Sequence, residues 1–173
     1  SCASEIVLAF EKLGRDTDEL VATVGQLSVM PGAGNVIPAK VVLSYDIRSP
    51  KDSVRVRALA MALGRAREIA EERNCAIDIE MISAIPAAAS DPGLMNAIGA
   101  AIGKQGGKPR ILVSGAGHDA MIFRNVCPQA MLFVRSKDGL SHHPDEFTTA
   151  EDIGRAAQAM YDTVIALAET HAG

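Results

Sequence analysis

The segment Lys40-Val41-Val42-Leu43-Ser44-Tyr45-Asp46-Ile47-Arg48, running into Ser49-Pro50-Lys51-Asp52, decides the fold. Val41, Leu43, Tyr45 and Ile47 alternate with Val42, Ser44, Asp46 and Arg48, the period of a strand with one face buried. A helix is predicted directly afterwards. Ser49 suits its N-cap, Pro50 its first turn, and Asp52 the positive end of its dipole. Leu59, Ala62, Leu63, Ala66, Ile69 and Ala70 give that helix one apolar stripe.

Working outward, Thr23 to Met30 is a second strand. Pro31-Gly32-Ala33-Gly34-Asn35 is a loop whose Gly and Asn tolerate positive φ. Ala3 to Gly14 is a helix carrying Ile6, Val7, Phe10 and Leu13 at helical spacing, with Gly14 as its stop. On the other side, Ala76 to Met81 alternates again through Ile77, Ile79 and Met81. The order helix, strand, strand, helix, strand is that of a ferredoxin-like βαββαβ sandwich lacking its first strand. That strand would lie in the middle of the sheet. Strand exchange, dimerisation or a bound partner is therefore expected to cover the open ladder.

Pro86-Ala87-Ala88-Ala89-Ser90 marks the boundary between residues 1–85 and residues 86–173. Beyond it, Asp91-Pro92 caps a helix running to about Lys104. Ile111-Leu112-Val113 and Met131-Leu132-Phe133-Val134 are short apolar runs that read as buried strands. A helical stretch from Asp119 to Asn125 lies between them. Thr148-Thr149-Ala150-Glu151 forms a capping box for a last helix, packed by Ile153, Ala156, Ala157, Met160, Val164, Ile165 and Ala168. Two strands with helices make a poor independent domain. This half reads as one end of a larger α/β sheet.

Composition excludes several classes. The formal net charge is −4, charged residues make up 22 % of the chain, and there is no run of like charge. That is not a nucleic-acid footprint. Aromatics are 3 % with no Trp, which leaves little for base stacking. No apolar run reaches membrane-spanning length, and Ser1–Phe10 lacks the features of a signal peptide. Cys2, Cys75 and Cys127 are odd in number and form no CxxC. They read as buried thiols of a cytoplasmic protein, neither a disulfide framework nor a structural zinc site.

Chemistry concentrates between Ser114 and Glu146. Three of the four histidines, His118, His142 and His143, sit here beside Asp119, Asp138, Asp145 and Glu146. A neutral imidazole on a loop after a buried strand, as at His142, makes a good zinc ligand. The bland alternative is a loop histidine bonded to backbone. Gly115, Gly117, His118 and Asp119 form a Gly-rich turn whose N–H groups suit a carboxylate, or simply a tight turn. Asn35 in a Gly loop reads as conformational, and Arg48 as a solvated strand residue.

Three patterns carry a resemblance. They are Ser114-Gly115-Ala116-Gly117-His118-Asp119-Ala120; Phe133-Val134 followed by Gly139-Leu140-Ser141-His142-His143-Pro144-Asp145-Glu146; and Asn35-Val36-Ile37-Pro38 with Asp46-Ile47-Arg48. Together they resemble the C-terminal part of the amidase/hydantoinase-carbamoylase hydrolases, which include allantoate amidohydrolases and N-carbamoyl-L-amino-acid hydrolases. Those enzymes hold two zinc or manganese ions per site. The resemblance covers nearly all of this chain but less than half of such an enzyme.

The resemblance implies that residues 1–85 are an incomplete lid, which forms a homodimer, and that residues 86–173 are the end of the catalytic domain. It makes His142 a metal ligand and places Asn35 and Arg48 on the substrate carboxylate, across the dimer. It puts Gly115, Gly117 and His118 at the substrate's border, His143 pointing away or behind the ligands, and Asp46 orienting its neighbour. The other metal ligands and the general-base Glu are expected upstream, so no catalytic residue is assigned here. In the complete enzyme, water activated by the metals attacks a ureido or carbamoyl carbonyl, and ammonia and CO2 leave. Allantoate is the first substrate choice and an N-carbamoyl-L-amino acid the second. Three readings compete: a C-terminal portion inactive alone, a non-catalytic dimerisation or binding module, and a self-contained hydrolase with a reduced metal site built from His118, His142, His143 and acids.

Overall fold

A computed structural model describes residues 1–171. The chain is mixed α/β and divides into two compact units, Ser1–Ala87 and Ala88–Gly173. The first contains α1 (Cys2–Asp16), β1 (Val21–Thr23), β2 (Leu27–Met30), β3 (Lys40–Leu43), β4 (Asp46–Arg48) and α2 (Asp52–Glu72). The second contains α3 (Pro92–Lys104), a 3-10 segment (Asp119–Asn125) and α4 (Ala150–His171).

The two expected long strands are each broken once. β2 pairs antiparallel with β3, and β1 with β4. Thr23 faces Asp46 and Leu27 faces Leu43, so one arm advances four residues while the other advances three. This is a β-bulge in a single long hairpin. Its chemistry is local: the Gln26 N–H donates to the Ser44 hydroxyl at 3.0 Å, and the Ser44 N–H donates to the Gln26 carbonyl at 3.1 Å. The alternation of burial survives the break, with Val41, Leu43, Tyr45 and Ile47 on the inner side.

The core of this unit lies between α1 and α2. Ile6 and Phe10 meet Ala62, Ala66 and Ile69, with Leu43 and Tyr45 packed against them. Phe10 and Tyr45 stack with centroids 4.0 Å apart. The buried face of α2 is Ala58, Ala62, Ala66, Ile69 and Ala70. Alanines four residues apart form a low ridge on which α1 can lie closely.

Several local expectations shift. Gly14 does not stop α1, which continues to Asp16. Its role is contact, because a Cβ there would stand 2.8 Å from the Ala22 Cβ. The N-cap of α2 is Lys51, not Ser49; the Ser49 hydroxyl instead accepts from the Lys51 N–H at 3.1 Å. Pro50 therefore sits in an Ser-turn just ahead of the helix, and Asp52 takes the first-turn position beside the dipole. α2 ends in a Schellman motif. Asn74 has φ +50, its N–H donates to the Glu71 carbonyl at 3.0 Å, and the Cys75 N–H donates to Ala70 at 2.8 Å.

The three remaining expected strands do not form. Ala76–Met81, Ile111–Val113 and Met131–Val134 are extended or irregular and pair with no described strand. A strand's polar backbone needs a neighbouring chain to complete it, and these segments have none among the described residues. Ile111 is 82 % exposed, so the expected burial is absent too.

In the second unit the Asp91 carboxylate caps α3 by accepting from the Leu94 N–H at 2.9 Å. The α4 cap uses Thr149 and Asp152, one residue later than the box read from Thr148 and Glu151: the Asp152 N–H donates to the Thr149 hydroxyl at 3.0 Å. The buried face of α4 runs through Ala159 and Thr163, whereas Ile153, Met160, Val164 and Ile165 are exposed. α4 carries two apolar faces, and the smaller-residue face is the one that meets α3. The cysteines are also more open than expected. Cys75 and Cys127 are exposed and Cys2 is half-buried, because both Cys75 and Cys127 follow helical ends in irregular chain.

No helix among the described residues is long and apolar enough to cross a membrane.

Candidate functional site

In the first unit, Asn35 lies in the β2–β3 connection, which the Ala39 N–H closes by donating to the Met30 carbonyl at 2.9 Å. The left-handed residue of this loop is Gly32, at φ +74, where a Cβ would crowd the Val29 carbonyl at 3.1 Å. Asn35 is not left-handed, so backbone conformation does not account for its presence.

Arg48 ends β4. Its Nε donates to Asp46 Oδ1 at 2.7 Å and its Nη2 to Asp46 Oδ2 at 3.1 Å. Residues two apart on a strand share a face, which lets the carboxylate and the guanidinium meet edge to edge. The Asp46 carboxylate raises the Arg48 pKa above its ordinary value, through hydrogen bonding first and charge second. Both side chains remain about half exposed. Asp46 thus aims the guanidinium and balances its charge.

In the second unit, the Gly-rich turn is held by short-range bonds. The Ser114 hydroxyl donates to the Ala116 carbonyl at 2.9 Å. His118 Nδ1 accepts from the Ala120 N–H at 3.1 Å and so caps the 3-10 segment. An accepting Nδ1 requires the imidazole proton to sit on Nε2, directed away from the turn. His118 therefore braces the backbone at Ala120. Neither Gly115 nor Gly117 has positive φ, and a Cβ at Gly115 would meet nothing within 4 Å. Backbone geometry does not demand glycine at either position.

The loop carrying His142 and His143 is closed at its base, where the Lys137 N–H donates to the Phe147 carbonyl at 2.8 Å. The Ser136 hydroxyl donates to the Leu140 carbonyl at 2.8 Å. His142 is exposed, with φ +57, an uncommon conformation for a residue bearing a Cβ. Its N–H is tied to Glu146 Oε2 at 2.9 Å. His143 turns to its own backbone, and its Nδ1 accepts from the Asp145 N–H at 3.1 Å. Two adjacent histidines thus have different duties: one is spent on the loop, and the other is presented outward in a strained conformation. Strain of this kind collects at functional positions. Glu146, whose anchoring of the His142 backbone was not foreseen, shows in the sequence only as an acid four residues downstream.

Among the described residues no group of three or more His, Cys, Asp or Glu side chains is placed to hold a metal ion. The described residues thus do not bring His118, His142, His143 and acids together into a self-contained metal site. His118 and His143 each spend Nδ1 on a backbone N–H, and catalytic zinc needs three protein ligands.

The model of peptidase family M20/M25/M40 matches residues 8–166. The chain belongs to that family. This M20/M25/M40 chain is 38 % identical over 169 residues to an N-carbamoyl-L-amino acid amidohydrolase of Geobacillus stearothermophilus, covering 98 % of the chain and 41 % of that protein. It is 36 % identical to an allantoate deiminase of Arabidopsis thaliana, covering 84 % of the chain and 29 % of that protein. Among solved structures, it superposes on a hydantoinase/carbamoylase family amidase from Burkholderia multivorans with a TM-score of 0.87 at 34 % identity, covering 94 % of this chain and 40 % of that one. The chain thus spans well under half the length of these relatives.

Proposed function

We propose that this chain is the carboxy-terminal portion of a metal-dependent amidohydrolase. The reaction is hydrolysis of a non-peptide C–N bond in a ureido or N-carbamoyl acid. The observation that carries this reading is His142: an exposed imidazole on a closed loop, its backbone pinned in a left-handed conformation by Glu146, in a chain of the M20/M25/M40 family. Likeness to both a carbamoyl amino acid amidohydrolase and an allantoate deiminase supports the substrate class.

In this reading residues 1–85 belong to the lid, an incomplete ferredoxin-like sandwich through which the enzyme forms a homodimer. Residues 86–173 complete the catalytic domain. Arg48, aligned by Asp46, binds the substrate carboxylate across the dimer, in the partner's site, with Asn35 on the same group. Bidentate Arg–carboxylate pairing fixes orientation as well as charge. Gly115 and Gly117 leave room for substrate to approach the backbone, and His118 borders the same substrate. His142 is the one metal ligand this chain supplies. Zinc or manganese, two per complete site, would polarise the scissile carbonyl and activate water. The remaining ligands and the general base belong to polypeptide preceding these residues, and the chain by itself is inactive. The complete enzyme is cytoplasmic. Allantoate is the first choice of substrate. An N-carbamoyl-L-amino acid is the second, favoured by the 38 % identical relative.

The test is reconstitution. The chain, co-expressed with the preceding half of the enzyme and supplied with zinc or manganese, should release ammonia from allantoate. Release only from N-carbamoyl-L-amino acids would select the second substrate. No ureidolysis from any complemented, metal-loaded, folded assembly would defeat the reading and favour a non-catalytic dimerisation module.

A further inference from the structure

The starts and ends of α1 and α2 meet in a way that the hydrolytic reading does not use. The two helices share the core, and the first turn of α1 lies against the last turn of α2. Glu5 pairs with Arg73 and, at 3.8 Å, with Arg65. The Schellman turn at Asn74 then folds the chain back over the end of α2, where the Cys75 N–H reaches the Ala70 carbonyl. This brings Cys75 beside the first turn of α1, where Cys2 lies one turn ahead of Glu5. The Cys75 thiol itself donates to the Arg73 carbonyl at 3.5 Å, and its nearness contributes to raising the Cys2 pKa. Cys2 is half-buried against the core cluster, whereas Cys75 is exposed. One thiol is therefore open to solution, and the other stands behind it within reach.

We propose that Cys2 and Cys75 form an oxidisable dithiol, which a hydroperoxide converts to a disulfide joining the first turn of α1 to the segment after α2. The exposed Cys75 sulfur, as thiolate, attacks one peroxide oxygen. The O–O bond breaks, the other oxygen leaves as water or alcohol, and Cys75 becomes a sulfenic acid. The Cys2 sulfur then attacks the Cys75 sulfur, the S–O bond breaks and a second water leaves. Two thiols lose two protons and two electrons, and the peroxide takes them up. The division of labour suits the surroundings. Burial and the neighbouring thiol push the Cys2 pKa up, partly offset by Arg73, which fits the resolving role rather than the first attack.

Closing the bridge requires the Cys75 thiol to leave the Arg73 carbonyl and the two sulfurs to approach to about 2.05 Å. Cys75 can supply that movement, because the chain beyond it, through Met81, pairs with no described strand. Cys127, in the other unit, is exposed and serves as the internal control.

The experiment exposes the 173-residue chain to hydrogen peroxide, blocks remaining thiols with an alkylating agent, digests without reduction and maps peptides by mass spectrometry. The expected product is a Cys2–Cys75 cross-linked peptide two hydrogens lighter than its parts. Cys127 should be alkylated, and dithiothreitol should reverse the change. Thermal unfolding of the oxidised monomer should move upward, and Cys2→Ser and Cys75→Ser should each abolish both the cross-link and the shift. Recovery of Cys2 and Cys75 as two alkylated thiols, as separate sulfinic acids, or only in bridges to Cys127 or between chains would overturn it.

Discussion

The Arg48 guanidinium lies edge to edge against the Asp46 carboxylate two residues before it on β4, through bonds of 2.7 and 3.1 Å. The pair is on the surface, so its contribution to stability is small. Its contribution to aim is larger, because a guanidinium held along one edge has fewer ways to miss a second carboxylate. In the reconstituted enzyme, Arg48→Lys should raise KM for the acid substrate about tenfold to a hundredfold, as expected for losing a charge-assisted bidentate contact. Asp46→Asn should raise KM less, and Asp46→Glu should recover part of that loss. Circular dichroism should be unchanged in all three variants. Equal kinetics for wild type and Arg48→Lys would remove Arg48 from the site.

Gly14→Ala tests the close approach of α1 to β1. The added methyl would stand 2.8 Å from the Ala22 Cβ, and neither a helix nor a short strand can yield cheaply. A loss of about 1–3 kcal/mol is expected by urea denaturation, although Ala is the better helix former. Combining it with Ala22→Gly should recover part of the loss, which a purely helical effect of position 14 would not allow.

His142→Gly separates folding from function. Glycine relieves the left-handed backbone at φ +57, so the variant chain should be more stable by about 1 kcal/mol. Activity of the reconstituted enzyme should nevertheless fall by orders of magnitude, and its metal content should drop. A His142→Gly enzyme that keeps full activity would show that the imidazole is not a ligand.

Gly115→Ala should leave the melting temperature within a degree or so, since a Cβ there meets nothing within 4 Å and φ is not positive. If substrate approaches that backbone, the same methyl should raise KM severalfold.

Acid should loosen the start of α4. The Asp152 carboxylate is held below its ordinary range by hydrogen bonds from Arg135 first and Thr149 second, with Arg135 Nη2 at 2.6 Å. A depressed carboxylate stabilises the fold fully above its unfolded pKa of about 4, and loses that contribution as pH falls through the lower, folded value. Asp152→Asn should therefore cost more stability at about pH 7 than at acid pH, measured by thermal unfolding across that range.

Helices were legible in the sequence, and strands were legible only in part. Asp91-Pro92 announces α3, and the spacing of Ile6 and Phe10 announces α1, because a helix satisfies its own backbone and needs only a stripe and a cap. Lys40–Arg48 was recognisable for a different reason: its partner, Val21–Met30, lies nearby in the same chain. Ile77, Ile111 and Met131 sit in segments with equally good strand composition, yet no described strand pairs with them, and composition says nothing about whether a partner is at hand. At the site, residue type pointed to His142, whereas Arg48 stood out only through the resemblance. The duties of their neighbours, Glu146 anchoring a backbone and His118 capping Ala120, depend on loop geometry that no spacing rule encodes.

Ile111-Leu112-Val113 remains as an uncovered apolar run, with Ile111 at 82 % and Val113 at 66 % exposure. Short windows of this kind stack readily with copies of themselves. Lys108, Pro109 and Arg110 stand immediately ahead of it, two like charges and a residue that cannot donate to a ladder, the usual gatekeepers of such windows. Removing those two charges, as in a Lys108→Ala, Arg110→Ala double variant, should therefore lower the concentration at which the purified chain turns cloudy, read by light scattering.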